Sequence, residues 1–200
     1  MNSHTNATTS PTPAPLSTAR AHRLGARALG VIGFALLTAI AAQIRVPLPG
    51  TPVPVTLQTL AVLLAGITLG PWLGAASMAL YLCWGLLAGP VFAVPAWGPG
   101  TLLGATGGYL IGFTLAQPAI GLITRAGRGR LPGILAAVLA GNLVIFACGL
   151  TWLHVWLGTG LAATLAMGLW PFLPGLVAKT LAATGAGRLL QPLARTWFDR

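Results

Sequence analysis

A lysine inside a long apolar run is the residue of this chain best placed to do chemistry. Lys179 follows Pro171-Phe-Leu-Pro-Gly-Leu-Val-Ala178, about five residues, or roughly 8 Å of helix, past Pro174. A cation in such a run does one of two things. It snorkels its ammonium to a membrane surface, or it stands as a fixed positive charge for an anionic ligand. Other polar positions share its setting. Asn142 follows Gly141 in another apolar run. It either hydrogen-bonds a neighbouring helix or reads a polar group of a ligand. Gln58 stands between Thr56 and Thr59, and Tyr109 follows Gly107-Gly108; both also fit purely structural roles. Such residue types recognise rather than catalyse. Paired carboxylates, a Ser/His/Asp set and an HExxH helix are missing from the chain, and His154 is the only histidine beyond the N-terminal stretch. An enzyme is therefore disfavoured. Cys83 and Cys148 lie far apart in apolar runs. They read as buried thiols, not as metal ligands or a disulfide framework, and no cofactor is implied.

The elements that must position these groups are membrane helices. The chain is 56% hydrophobic and 6% charged, against about 25% charged in a soluble domain. The first stretch is rich in Thr, Ser, Pro and Ala and reads as a disordered tail over residues 1–25. Apolar runs follow at 28–44, 55–69, 72–88, 102–124, 134–157 and 171–190. Each approaches the length needed to cross a hydrocarbon core of about 30 Å. The chain thus reads as an all-α integral membrane protein, a bundle of six transmembrane helices over residues 26–191, with a short tail at 192–200. Gly70-Pro71 makes a tight turn between the second and third spans. The path of residues 158–170 stays open, a short re-entrant or interfacial piece being one option. A rival reading takes the first apolar run, with Ala39-Ile40-Ala41, as a secretory signal peptide.

Charge gives the bundle a direction. Six spans with both termini cytoplasmic place Arg20, Arg23, Arg27, Arg125, Arg128, Arg130, Arg188, Arg195 and Arg200 inside. Arg45 alone falls outside, and Lys179 falls within a span. This is the bias of the positive-inside rule in a plasma membrane, and it disfavours the signal-peptide reading. The +10 net charge marks orientation rather than a nucleic-acid surface, because the cations sit at the ends of apolar runs. No Asp or Glu lies in any span, which disfavours proton- or sodium-coupled transport. No phosphate-cradling GxxxxGK[ST] loop is present, so the chain does not use ATP by that route. Thr56, Gln58, Tyr109, Asn142 and Lys179 all fall in the outer half under this topology. Convergent polar groups in an apolar pocket suit a small amphipathic anion. The segment Val46-Pro-Leu-Pro-Gly-Thr-Pro-Val-Pro54 is stiffened by its prolines and is placed to form a lid.

The run from Ala42 to Gly66, containing Pro52-Val-Pro-Val-Thr-Leu-Gln-Thr-Leu-Ala61, resembles the signature of the BioY family. So do Leu69-Gly-Pro-Trp-Leu-Gly74, Gly104-Ala-Thr-Gly-Gly-Tyr-Leu-Ile-Gly-Phe113, Gly141-Asn142 with Trp152-Leu153, and Pro171 through Lys179. The likeness covers residues 28–190 in order. It implies the biotin-binding S component of an energy-coupling-factor (ECF) transporter, a six-helix bundle with its ligand near the outer face. It implies a transmembrane coupling subunit and ABC-type ATPase subunits as partners. Lys179 would meet the biotin carboxylate or a polar ring atom. Asn142, Tyr109, Gly107 and Gly108 would lie near the ligand, and residues 46–58, with Thr56 and Gln58, would close over it. Ala35 and Ala39 on the first helix would let the coupling subunit approach closely, as small residues at i, i+4 do. One departure stands out. Many relatives carry an Asp three residues before the lysine, where this chain has Leu176, so Lys179 lacks that counter-ion. An S component for another small vitamin and a structural membrane subunit without a ligand are the competing readings.

Overall fold

The computed structural model describes residues 16–93 and 97–197. Helix α1 spans Leu16–Gln43. A two-stranded hairpin follows, β1 at Arg45–Val46 and β2 at Val55–Thr56, paired antiparallel with Arg45 opposite Thr56. Then come α2 at Gln58–Leu87, a short α3 at Pro99–Leu103, α4 at Gly107–Ala126 and α5 at Leu131–Leu157. A short α6 at Leu161–Gly168, a 3-10 turn at Trp170–Phe172 and α7 at Leu173–Trp197 complete the chain. Residues 158–170, whose path the sequence leaves open, thus run through α6 into the 3-10 turn.

Two terminal boundaries differ from expectation. Residues 16–25 belong to α1, not to a tail. The run of prolines ends at Pro15, and the Ala, Arg and Leu residues that follow are good helix formers. Likewise α7 continues through 192–197. Thr196 Oγ1 donates to the Pro192 carbonyl at 2.9 Å. The expected disorder of residues 1–15 and the last three positions lie outside the described residues.

Five of the described helical stretches are long and apolar enough to cross a membrane, and one of them is two spans. Gly70 inside α2 has φ 80° and ψ −173°, and Pro71 follows it. Proline pushes its predecessor out of the helical region, and glycine tolerates positive φ. The two arms of α2 fold back on each other. A Cβ at Gly74 would lie 3.4 Å from the Gly66 Cα, and Gln58 hydrogen-bonds Tyr81, 23 residues away. The protein is therefore a multi-pass membrane bundle of six spanning helices.

The first arm of α2 is buried nearly throughout, with Val62, Leu63, Ala65 and Leu69 all at 1% exposure or less. It forms the centre against which α1, α4 and α7 pack. Gln117 of α4 is fully buried and donates to the Val62 carbonyl at 3.2 Å and to Phe113 at 2.9 Å. Glycines bring α4 onto α5: a Cβ at Gly112 would sit 3.1 Å from the Ile145 Cα. Close backbone approach of this kind is how membrane helices gain contact without a hydrophobic drive.

On α1 the structure corrects an expectation. Ala35 and Ala39 are 1% and 8% exposed, packed into the chain's own core with Val62 and Met78. Ser77 Oγ donates to the Val31 carbonyl at 2.8 Å, and Thr38 Oγ1 lies 3.9 Å from Met78 Sδ. The small face of α1 is consumed by α2. Its outward face carries Leu29, Ile32, Leu36, Leu37 and Ile40 instead.

Candidate functional site

At the end of the bundle opposite Gly70, the hairpin leans over a cavity between α2, α4, α5 and α7. The cavity has an empty volume of about 670 Å³, counted to its open mouth. The hairpin contributes Val53, Pro54 and Thr56, and α2 contributes Gln58 and Thr59. Tyr109 and Phe113 come from α4, Ile145 and Phe146 from α5, and Leu176 and Lys179 from α7. Phe92 and Phe172 close the sides. The walls are mostly aromatic and aliphatic, with Thr56, Gln58, Thr59, Thr106 and Lys179 among the polar groups.

Among the described residues, Lys179 supplies the only charge on those walls. Its Nζ donates to the Thr56 carbonyl at 3.1 Å, so the side chain turns inward toward the hairpin. An ammonium has three donors, and this bond uses one. The contact ties α7 to the strand that leads into α2. Leu176 lines the cavity one turn before Lys179, so no carboxylate stands beside the cation from that position.

Gln58 is held in a relay that the sequence did not reveal. Thr56 Oγ1 donates to Gln58 Oε1 at 3.1 Å, and Gln58 Nε2 donates to the Tyr81 hydroxyl at 2.5 Å. The Tyr81 hydroxyl donates in turn to the Val91 carbonyl at 3.2 Å. Its ring meets Phe92 edge-on, with centroids 5.5 Å apart. Tyr81 is fully buried and orients Gln58 from behind. Its value became visible only once the reversal at Gly70 set the two arms side by side.

Tyr109 shows its ring to the cavity and turns its hydroxyl away, donating to the Gly168 carbonyl at 2.8 Å. The ring continues into an aromatic ladder, edge-on to Phe146 at 5.9 Å, which in turn meets Phe172 at 6.4 Å. These phenylalanines carried no sign in the sequence. Phe146 faces lipid or cavity according to the rotation of α5, and Phe172 according to the turn before α7.

Three expected site residues do not line the cavity. Asn142 is 5% exposed and donates through Nδ2 to Thr180 Oγ1 at 3.1 Å. Of its two readings, the geometry favours the interhelical bond: it braces α5 against α7 at the residue after Lys179. Gly107 and Gly108 face α3 and α5 rather than the cavity. A Cβ at Gly107 would strike the Leu102 carbonyl oxygen, and one at Gly108 would strike Trp152 and the Cys148 carbonyl. Trp152 Nε1 donates to the Gly104 carbonyl at 2.8 Å in the same corner. These glycines permit helix approach and so place Tyr109.

The hairpin is anchored at several points. Thr51 Oγ1 donates to the Met167 carbonyl at 2.6 Å, in the last turn of α6. Arg45 Nη1 donates to the Ala93 carbonyl, and Gln43 Nε2 donates to that of Phe92 at 3.4 Å. Val53 is 6% exposed and faces into the cavity. The cavity is thus roofed by a segment whose Arg45 and Thr51 side chains hydrogen-bond to backbone carbonyls of neighbouring elements.

This is a membrane bundle of six helices with an aromatic cavity at one end, roofed by a hairpin and carrying one cation among the described residues. Comparison with known proteins makes the class specific. Residues 14–196 match the model of the BioY family. The chain is similar to a probable biotin transporter BioY of Pyrococcus horikoshii, 41% identical over 78% of this chain and 91% of that one. It is similar to the biotin transporter BioY of Rhodobacter capsulatus, 37% identical over 78% of this chain and 92% of that one. Its fold matches a crystal structure of the S-component for biotin from an ECF-type ABC transporter. The TM-score is 0.80 at 24% identity, over 92% of this chain and all of that one. The chain belongs to the BioY family, a family of transporter components and not of enzymes.

Proposed function

We propose that this chain is the biotin-binding, substrate-capture subunit of a vitamin uptake transporter in the plasma membrane. Biotin joins a polar bicyclic urea to an apolar chain that ends in a carboxylate. A cavity with aromatic walls and one cation complements both ends of such a molecule. The observation that carries the reading is Lys179, turned into that cavity and bonded to the hairpin above it. In the proposed complex the Lys179 ammonium takes the carboxylate or a polar ring atom. Thr56 and Gln58 offer hydroxyl and amide groups, and the Tyr109 ring packs on the apolar part. Asn142 acts through Thr180, and Gly107 and Gly108 through the placing of α4. The names of the Pyrococcus and Rhodobacter relatives support biotin as the ligand.

Energy must come from elsewhere, because the sequence has neither a phosphate-cradling loop nor a carboxylate in its spans. The partners proposed are a transmembrane coupling subunit and ABC-type ATPase subunits. The arginine-rich end of the bundle, with Arg125, Arg128 and Arg188, is placed on the cytoplasmic side with both termini, following the positive-inside rule. The cavity then opens outward, where the vitamin arrives.

Purified protein is expected to bind tritiated biotin saturably, one molecule per chain. Unlabelled biotin displaces it and other vitamins do not. Displacement by a different vitamin would reassign the ligand. The absence of saturable binding for every vitamin tried would favour a structural subunit.

A further inference from the structure

A second pocket adjoins the cavity under the hairpin, and Pro54 and Ala93 line both. Its empty volume is about 590 Å³, counted to its open mouth, within the roughly 300–1,000 Å³ range of small-molecule sites. Pro47, Leu48 and Pro52 give it apolar walls, and Arg45 gives it a cation. Building on the proposed function, we infer that this pocket is an encounter site. In it Arg45 takes the carboxylate of the incoming ligand before that group reaches Lys179.

Three observations carry this. First, the pocket repeats the chemistry of the deeper cavity. Each joins apolar walls to one basic side chain among the described residues, which suits a small amphipathic anion. Arginine's planar fork matches a carboxylate bidentately. A guanidinium has five donors, and the bond from Arg45 Nη1 to the Ala93 carbonyl uses one.

Second, the two sites are ordered from the surface inward. Arg45, Pro47 and Pro52 are exposed. Val53, the next residue, is 6% exposed and lines the deeper cavity together with Phe92 and Tyr109. A ligand leaving solvent thus meets Arg45 on the exposed side of Pro54 and Ala93, and Lys179 on the deeper side.

Third, the two cations are fixed to one strand pair. Arg45 pairs with Thr56 across the hairpin, and the Thr56 carbonyl accepts from Lys179 Nζ at 3.1 Å. A carboxylate released by Arg45 therefore finds its next cation against the partner strand. An exposed charge at the rim of a site acts on the rate of capture more than on affinity, and salt screens it.

The test uses the purified full chain in uncharged detergent. Biotin or its methyl ester is mixed in by stopped flow, and binding is followed by tryptophan fluorescence. Arg45→Gln keeps an N–H for the Ala93 carbonyl and removes the charge. It should slow biotin capture about three- to tenfold at low salt, with release nearly unchanged and capture of the ester unaffected. At about 1 M salt, where the screening length is about 3 Å, variant and parent should capture biotin alike. Arg45→Lys should keep most of the rate. Pro47→Glu sets an opposing charge in the same pocket without altering Arg45. It should slow biotin and spare the ester, and it decides the matter if Arg45→Gln does not fold. Biotin capture as fast in Arg45→Gln as in the parent overturns the inference. So does equal slowing of acid and ester, which would leave Arg45 an anchor of the hairpin alone. A parent chain that binds no biotin would instead sink the proposed function, and this inference with it.

Discussion

Lys179→Gln lowers affinity for biotin by about 30- to 150-fold, corresponding to roughly 2–3 kcal/mol for a hydrogen bond to a charged group. The reasoning rests on what the substitution keeps. Glutamine still has an N–H to offer the Thr56 carbonyl, which Lys179 Nζ meets at 3.1 Å, so the tie from α7 to the hairpin has a replacement. What is lost is the only charge on the cavity wall among the described residues. Thermal stability in detergent should stay near that of the parent chain. Biotin methyl ester, which has no carboxylate, gives the matching control. It should bind the parent chain weakly and lose little more in the variant. Equal losses for acid and ester would mean that Lys179 meets a polar ring atom. No loss for either would remove it from the site.

Gly108→Val should destabilise the protein by at least about 3 kcal/mol. A Cβ at Gly108 would stand 2.5 Å from the Cys148 carbonyl oxygen and would also strike the Trp152 Cβ. Neither neighbour is the far end of a flexible side chain, so the two helices must separate. Separating them moves Tyr109, the next residue, and opens the aromatic ladder through Phe146. Gly175→Ala is the control, because its added methyl meets Val55 Cγ1 at 3.8 Å and Lys179 Cε at 3.9 Å, ordinary contact distances. Thermal unfolding followed by tryptophan fluorescence reads both. A Gly108 variant that keeps its stability and loses only affinity would return that glycine to the ligand surface.

The difference between these two residues shows what a sequence of this kind reveals. Lys179 and Gly108 sit in motifs of equal clarity, and both read as site residues. Charge in an apolar run has few uses, so the lysine could be singled out from the sequence, and the structure places it on the cavity wall. A glycine permits close approach without saying to what, and here it is to α5. The six spans were legible for a similar reason. Hydrophobic length fixes the count, and Gly70-Pro71 divides the second run from the third by leaving helical geometry at Gly70. Helix rotation was not legible. Ala35 and Ala39 have the spacing of a contact face, but the choice between α2 and another subunit depends on tertiary packing. The same indifference hid Phe92, Phe146 and Phe172, since apolarity looks alike toward lipid and toward a ligand. Tyr81 was hidden by distance along the chain, and only the fold-back of α2 brings its hydroxyl to Gln58. The hairpin was read as a stiff proline-rich lid. Its stiffness is shared between the prolines and the pairing of Arg45 with Thr56.

A structure of this chain crystallised with biotin tests the central claim most directly. The account predicts ligand density beneath the 45–56 hairpin. The carboxylate, or failing that a ring heteroatom, should lie within about 3 Å of Lys179 Nζ, with the apolar chain against Tyr109 and Phe146. Biotin bound anywhere else on the molecule, or bound in this cavity with Lys179 turned out to the membrane surface, would contradict it.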